Sequence, residues 1–188
     1  MVIRLINLGN LTLRLYKTVL DNLDIKPDNI ILDVGFGNGY FISKILKKNI
    51  PVNIYGIDIS NDMVNHASKK YKRFVQKGNL NFSLANIQET SFENDKFDKI
   101  YTISTVYFWK DMKKCFSEVK RILKPNGLFL NVIYTKAFLE TIRYTTYGFD
   151  KYTVEELIKI TEENGMKVIK TIEIVKKISY CVISENIR

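Results

Sequence analysis

The segment NIILDV, residues 29–34, is apolar at four of its six positions, without the alternation of a half-exposed strand. Such a run predicts a strand covered on both faces, the situation of a parallel sheet flanked by helices. The next residues narrow the fold further. Gly35, Gly37 and Gly39 fall within five positions of VGFGNG, predicting a tight turn into a helix over about 38–49. Glycine there lets a ligand approach the backbone closely, and a helix N-terminus favours an anionic group.

The rest of the chain alternates in the same sense. VNIYGID (52–58), LNFSLAN (80–86), FDKIYTIS (97–104) and LFLNVIY (128–134) read as strands. Residues 61–77 read as a helix with an inward stripe of Val64, Ala67, Tyr71 and Phe74. Residues 111–123 read as another, with Met112, Cys115, Phe116, Val119, Ile122 and Leu123 on one face and KPNG (124–127) as its stop. Thr153 and Glu156 have capping-box spacing, opening a helix that runs to about Asn164 before Gly165. MKVIKTIEIV and ISYCVIS are separated only by Lys176 and Lys177, too close for a crossover, and so predict an antiparallel hairpin. The expected fold class is α/β: a doubly wound, mostly parallel sheet with helices on both faces and an antiparallel finish.

One domain over residues 1–188 is expected, without repeats or linkers. Leu8, Leu11, Leu15 and Val19 have helical spacing, so residues 1–27 read as a helical cover. The stretch 134–152 is too long for a simple connection and reads as a lid. The N-terminus carries Arg4, Arg14 and Lys17 and is interrupted by Asn7, Gly9 and Asn10, unlike a signal peptide or membrane span. A cytoplasmic protein is expected. Cys115 and Cys181 stand far apart, and there is one histidine, so neither a disulfide framework nor a metal site is read; Cys115 belongs to a helix's apolar face. His66 falls off its helix's apolar stripe and is expected at the surface. The net charge of +9 comes from lysines scattered over every segment, with no basic block interleaved with aromatics. That favours a solvated surface over a nucleic-acid site.

Parallel sheets bind ligands beyond the carboxyl ends of their strands. Two acids stand there. Asp33 precedes the first glycine by two residues, placed to meet a cationic ligand group or to steady the loop. Asp58 ends the second strand about 20 residues after the loop, the place for a carboxylate that accepts ribose hydroxyls. The alternative for Asp58, capping the following helix, falls more naturally to Ser60.

LDVGFGNG, GIDIS…M, FDKIYTISTVYFW and LKPNG, in that order and spacing, resemble the class I S-adenosylmethionine-dependent methyltransferases over residues 28–187. The resemblance implies seven strands in the order 3-2-1-4-5-7-6. It also implies S-adenosylmethionine as cofactor, with S-adenosylhomocysteine as product. By the same resemblance Gly35, Gly37 and Gly39 wrap the methionine part, with Asn38 in the same loop and Asp33 near the amino group. Asp58 takes the ribose hydroxyls, and Ile59 and Met63 flank the adenine. Asn86 replaces an acid that faces the adenine amino group; its carbonyl oxygen can still accept that hydrogen bond, without charge assistance. Ile87 offers a backbone N–H to the ring, and Ser104 lines the methionine end.

Methyl transfer from a sulfonium is an in-line displacement, so positioning and exclusion of water carry much of the catalysis. No catalytic base is assigned. TVYFW (105–109) follows the fourth strand, so Tyr107 and Trp109 are expected to wall an acceptor pocket and Phe108 to pack beneath. Tyr16, Tyr144 and Tyr147 are the further candidates from the two covering segments. STVY stands where amino-methylating DNA enzymes carry an Asn/Asp-Pro-Pro-aromatic motif, and no Cys follows any proline, as a cytosine C5 enzyme requires. A small-molecule acceptor remains. The rival readings are an RNA-directed methyltransferase or non-catalytic partner subunit, and a nicotinamide oxidoreductase. The last has Tyr147 and Lys151 at dehydrogenase spacing but lacks the matching GxxxGxG loop.

Overall fold

The computed structural model describes residues 8–187. Residues 1–7 of the expected helical cover lie outside them. Within them the chain begins with helix α1 (Leu8–Asn22), then β1 (Ile30–Val34), α2 (Tyr40–Leu46), β2 (Asn53–Asp58), α3 (Asn61–Lys70), α4 (Lys72–Gln76) and β3 (Leu80–Leu84). There follow β4 (Phe97–Ile103), α5 (Met112–Ile122), β5 (Leu123–Tyr134), α6 (Lys136–Leu139), α7 (Val154–Glu163), β6 (Met166–Val175) and β7 (Ser179–Asn186).

The strands form one seven-stranded sheet in the order β3-β2-β1-β4-β5-β7-β6. β1 to β5 pair in parallel, and β7 runs antiparallel to both β5 and β6. The order expected from the resemblance and the hairpin read from the two-lysine spacing are both present. The chain's path reverses direction between β1 and β4, which sets a crevice beyond their carboxyl ends.

Each face of β1 meets a different apolar layer, as its unbroken pattern requires. Ile31 joins Leu15, Val19 and Leu23 of α1 and its C-terminal turn, with Phe41, Ile42 and Ile45 of α2. Leu32 and Val34 join Phe116, Val119 and Ile122 of α5 and Leu157 of α7. Full burial of such a side chain contributes about 1.5–3 kcal/mol, so both layers are held firmly. Arg14 anchors α1 to the closing hairpin by donating to the Ile174 carbonyl at 2.8 Å. Among the described residues, no helix is long and apolar enough to cross a membrane.

Capping follows the sequence. Thr153 and Glu156 make both bonds of the capping box, Asp111 accepts from Lys114 N–H at 3.0 Å, and Ser60 caps α3. Three expectations change. The helix read over 61–77 breaks at Tyr71, whose hydroxyl donates to the Gly39 carbonyl at 2.9 Å. The break shifts the helical phase, leaving Phe74 37% exposed instead of inside. The strand read from 128 starts already at Leu123, which pairs with Phe97; residues 124–127 then bulge before Leu128 meets Lys99. Met112, expected on the buried face of α5, is only partly covered, whereas Glu118 is buried by bonds to Thr90 and Arg121.

Candidate active site

β1 delivers the chain to the crevice at Gly35, whose φ of 75° is one a side chain rarely adopts. Its N–H donates to the Ile57 carbonyl at 2.8 Å, and a Cβ there would lie 2.5 Å from Thr105 Cγ2. Gly37, at φ 55°, is different, because a Cβ there would meet nothing within 4 Å. The loop is thus packed at its base and open at its tip. Tyr71 holds the Gly39 carbonyl, Lys70 donates to the Asn38 carbonyl at 3.2 Å, and Asn38 Oδ1 accepts from Tyr40 N–H at 2.9 Å. That last bond occupies the first N–H of the short helix α2, so the anion attraction expected there is weakened.

Asp58, at the end of β2, is the acid that organises the loop. Its Oδ2 accepts from Gly37 N–H and its Oδ1 from Ser60 N–H, each at 2.9 Å. A carboxylate offers about four lone-pair sites, so both oxygens retain acceptor capacity. Asp58, Gly35, Ile59, Asn86 and Ile87 line a cavity of about 320 Å³ together with Val34, Thr105, Phe108 and Trp109. Asn86 Oδ1 already accepts from Gln88 N–H at 3.0 Å, leaving its second lone pair for another donor. Met63, though expected beside Ile59, stands exposed on α3 and is not among the residues lining this cavity.

Asp33 is buried beneath the loop, opposite Tyr101 of β4 in the parallel register. Burial pushes its carboxyl up to about 8; the Tyr101 hydroxyl works against that shift, and the Asp58 charge adds to it. The Tyr101 hydroxyl makes no well-formed hydrogen bond, so it faces Asp33 without satisfying it. Tyr16 reaches the same region from α1, stacked obliquely at 5.6 Å from Tyr40 and 5.4 Å from Phe41. Burial and then the Asp33 charge raise its phenol.

Beyond β4 the chain turns at Ser104, which adopts φ 59° although it is not glycine. Such outliers cost about 1–3 kcal/mol and gather at functional sites. Ser104 lines a second cavity of about 200 Å³ between the 104–108 turn and the 134–149 segment. That segment forms one wall of the cavity. It contains α6 and a 3-10 turn at Arg143–Thr145, and Asp150 N–H donates to the Tyr107 carbonyl at 3.0 Å.

The aromatic assignment reverses in part. Tyr107 is buried with its hydroxyl bonded to both the N–H and the carbonyl of Tyr134, and burial raises its phenol far above the usual range. It lines the second cavity, but as a pinned, neutral wall. Trp109 is 5% exposed, stacked on Phe129 at 6.3 Å, and touches the first cavity, not the second. Phe108, expected to pack, is 45% exposed and lines both cavities. Alternation along a tight turn sends neighbours to opposite sides, and the sequence alone does not say which. Tyr144 also lines the second cavity, whereas Tyr147 is 88% exposed and lines neither. Thr105, Tyr71 and Tyr101 were not read as site residues. Only Thr105 had a signal, its place directly after a strand end.

A family model described as a methyltransferase domain matches residues 32–131. An O-methyltransferase of Pyrenophora dematioidea is 34% identical over 116 residues, 62% of this chain and 43% of that protein. A malonyl-[acyl-carrier protein] O-methyltransferase of Ilyobacter polytropus is 29% identical over 160 residues, 81% of this chain and 60% of the relative. The chain thus spans about half the length of these curated relatives. A solved S-adenosylmethionine-dependent methyltransferase from Aquifex aeolicus superposes with a TM-score of 0.74 at 24% identity, covering 90% of this chain and 88% of that one, a likeness of fold.

Proposed function

Because the chain belongs to the class I S-adenosylmethionine-dependent methyltransferases through its methyltransferase domain, we propose that it transfers a methyl group from S-adenosylmethionine to a small-molecule acceptor. One observation carries the reading. Asp58 sits in the first cavity with both carboxylate oxygens tied to backbone N–H groups, so that its remaining lone pairs are held rigidly for paired hydroxyls.

The residues present fit such a cofactor. The space above Gly37 is open, Asn86 keeps an acceptor lone pair, and Ile59 offers an exposed apolar surface. Asp33 supplies a buried carboxyl that a cationic ligand group would ionise. When bound, the cofactor supplies a methyl group on positively charged sulfur, already activated for displacement. This chain's residues do the rest: the glycine loop and Asp58 orient, Phe108 stands on both cavities, and the 134–149 cover excludes water. The solved geranyl diphosphate C-methyltransferase of Streptomyces coelicolor, described in complex with S-adenosylhomocysteine, has the same fold, with a TM-score of 0.80 at 12% identity over 95% of this chain and 80% of that one.

Calorimetry with S-adenosylhomocysteine and NAD tests the proposal. The adenosyl compound is expected to bind and NAD to bind weakly or not at all. NAD binding without the adenosyl compound overturns it.

A further inference from the structure

The second cavity selects by what its wall lacks. Six aromatic side chains, Tyr107, Phe108, Tyr134, Phe138, Tyr144 and Phe149, form most of it. The other described lining residues are Ser104, Leu139, Ile142 and Thr145, so no Lys, Arg, His, Asp or Glu side chain among the described residues faces the space. We propose, on the methyl-transfer reading above, that this cavity binds the acceptor, and that the acceptor is an uncharged, single-ring-sized molecule carrying a nitrogen or thioether sulfur lone pair.

Size, charge and chemistry each support part of this. A volume of about 200 Å³ modestly exceeds the ~150 Å³ of an apolar cavity that holds benzene. A carboxylate or phosphate would find no cationic partner on the described walls, so its desolvation would go uncompensated. The Tyr107 hydroxyl is committed to the Tyr134 backbone, while Ser104 Oγ is buried without a well-formed bond, although it faces that hydroxyl. One polar atom of the acceptor can therefore be satisfied at Ser104.

The missing base determines the nucleophile. No Asp, Glu, His or Lys side chain among the described lining residues is there to take a proton, and burial raises the phenols of Tyr107 and Tyr134. A lone-pair nitrogen or thioether needs none. Its electron pair forms the new bond to carbon, the carbon–sulfur bond of the donor breaks with its pair going to sulfur, and the positive charge passes to the acceptor atom. Aromatic faces attract that charge.

Pyridine and isonicotinate, the same ring without and with a carboxylate, serve as probes at mildly alkaline pH. Their binding to the full chain is followed by ligand-observed NMR, with and without S-adenosylhomocysteine. Pyridine is expected to bind about tenfold or more tighter than isonicotinate. Leu139→Trp and Ile142→Trp, which fill the cavity, are expected to abolish pyridine binding while S-adenosylhomocysteine affinity stays within about twofold. With S-adenosylmethionine, mass spectrometry should detect N-methylpyridinium. Isonicotinate or phosphoethanolamine binding as tightly as pyridine overturns the proposal, as does undiminished pyridine binding in a folded filled variant. Pyridine and S-adenosylhomocysteine binding together without methylated product overturns the nucleophile assignment. Pyridine binding without S-adenosylhomocysteine binding supports the cavity and sinks the methyl-donor reading alone.

Discussion

Gly37 N–H donates to Asp58 Oδ2 at 2.9 Å, across 21 residues of chain, and so joins the tip of the glycine loop to the acid at the end of the neighbouring strand. Parallel pairing of Val34 with Ile57 brings the two strand ends level, and the loop then folds back onto the carboxylate. Two elements of the proposed cofactor site are thereby joined by a single bond.

Removing that carboxylate should do more than delete one ligand contact. Asp58→Asn is expected to weaken S-adenosylhomocysteine binding about tenfold or more, because one of the Gly37 and Ser60 N–H groups then faces an amide NH₂. Asp58→Ala should weaken it further. Titration calorimetry checks both, and unchanged affinity in Asp58→Ala would remove Asp58 from the site.

Asp33 is expected to make stability depend on pH. Its folded carboxyl, raised by burial to about 8 from 3.8, binds a proton that the unfolded chain has released across that window. Stability from this group is therefore full below the unfolded value and is lost as pH rises through the folded one. Asp33→Asn should accordingly be more stable than the parent near pH 8 and lose that advantage in acid, as read by urea denaturation. A cationic ligand group favours the ionised form, so S-adenosylhomocysteine affinity should rise with pH toward about 8 with proton release, and Asp33→Asn should flatten that rise.

Tyr71 supports the loop from below. Tyr71→Phe keeps the ring but removes its bond to the Gly39 carbonyl, which should cost about 0.5–1.5 kcal/mol in chemical denaturation. S-adenosylhomocysteine binding should weaken less than in Asp58→Ala. A larger loss than in that variant would make Tyr71 part of the binding surface itself.

Trp109 and Phe108 should separate stability from acceptor use. Trp109→Ala opens the core beside Phe116 and Phe129 and is expected to cost about 3–5 kcal/mol. Phe108→Ala, at a position 45% exposed, should change stability by about 1 kcal/mol or less while merging the two cavities. Thermal melts and methyl transfer to rings of increasing size measure the contrast. Equal destabilisation would return Phe108 to the core.

Local chemistry settled much of this protein before any contact was known. The apolar run of β1, the three glycines after it, the Thr153–Glu156 box and the two-lysine gap before β7 each depend on neighbours within a few residues. A turn, a cap or a doubly covered strand is therefore written in the adjacent sequence. The acids at strand ends were legible for the same reason, since their positions follow from where strands stop. Which way a side chain faces after a strand ends is different, because it depends on what the rest of the chain packs against it. Phe108 fronts both cavities and Trp109 enters the core because α5 and β5 offer Trp109 the rings of Phe116 and Phe129. Tyr71 breaks its helix because a loop 32 residues earlier presents the Gly39 carbonyl to its hydroxyl. The Asp33 carboxyl rises only once α1 and β4 close over it, since desolvation comes from neighbours far along the chain.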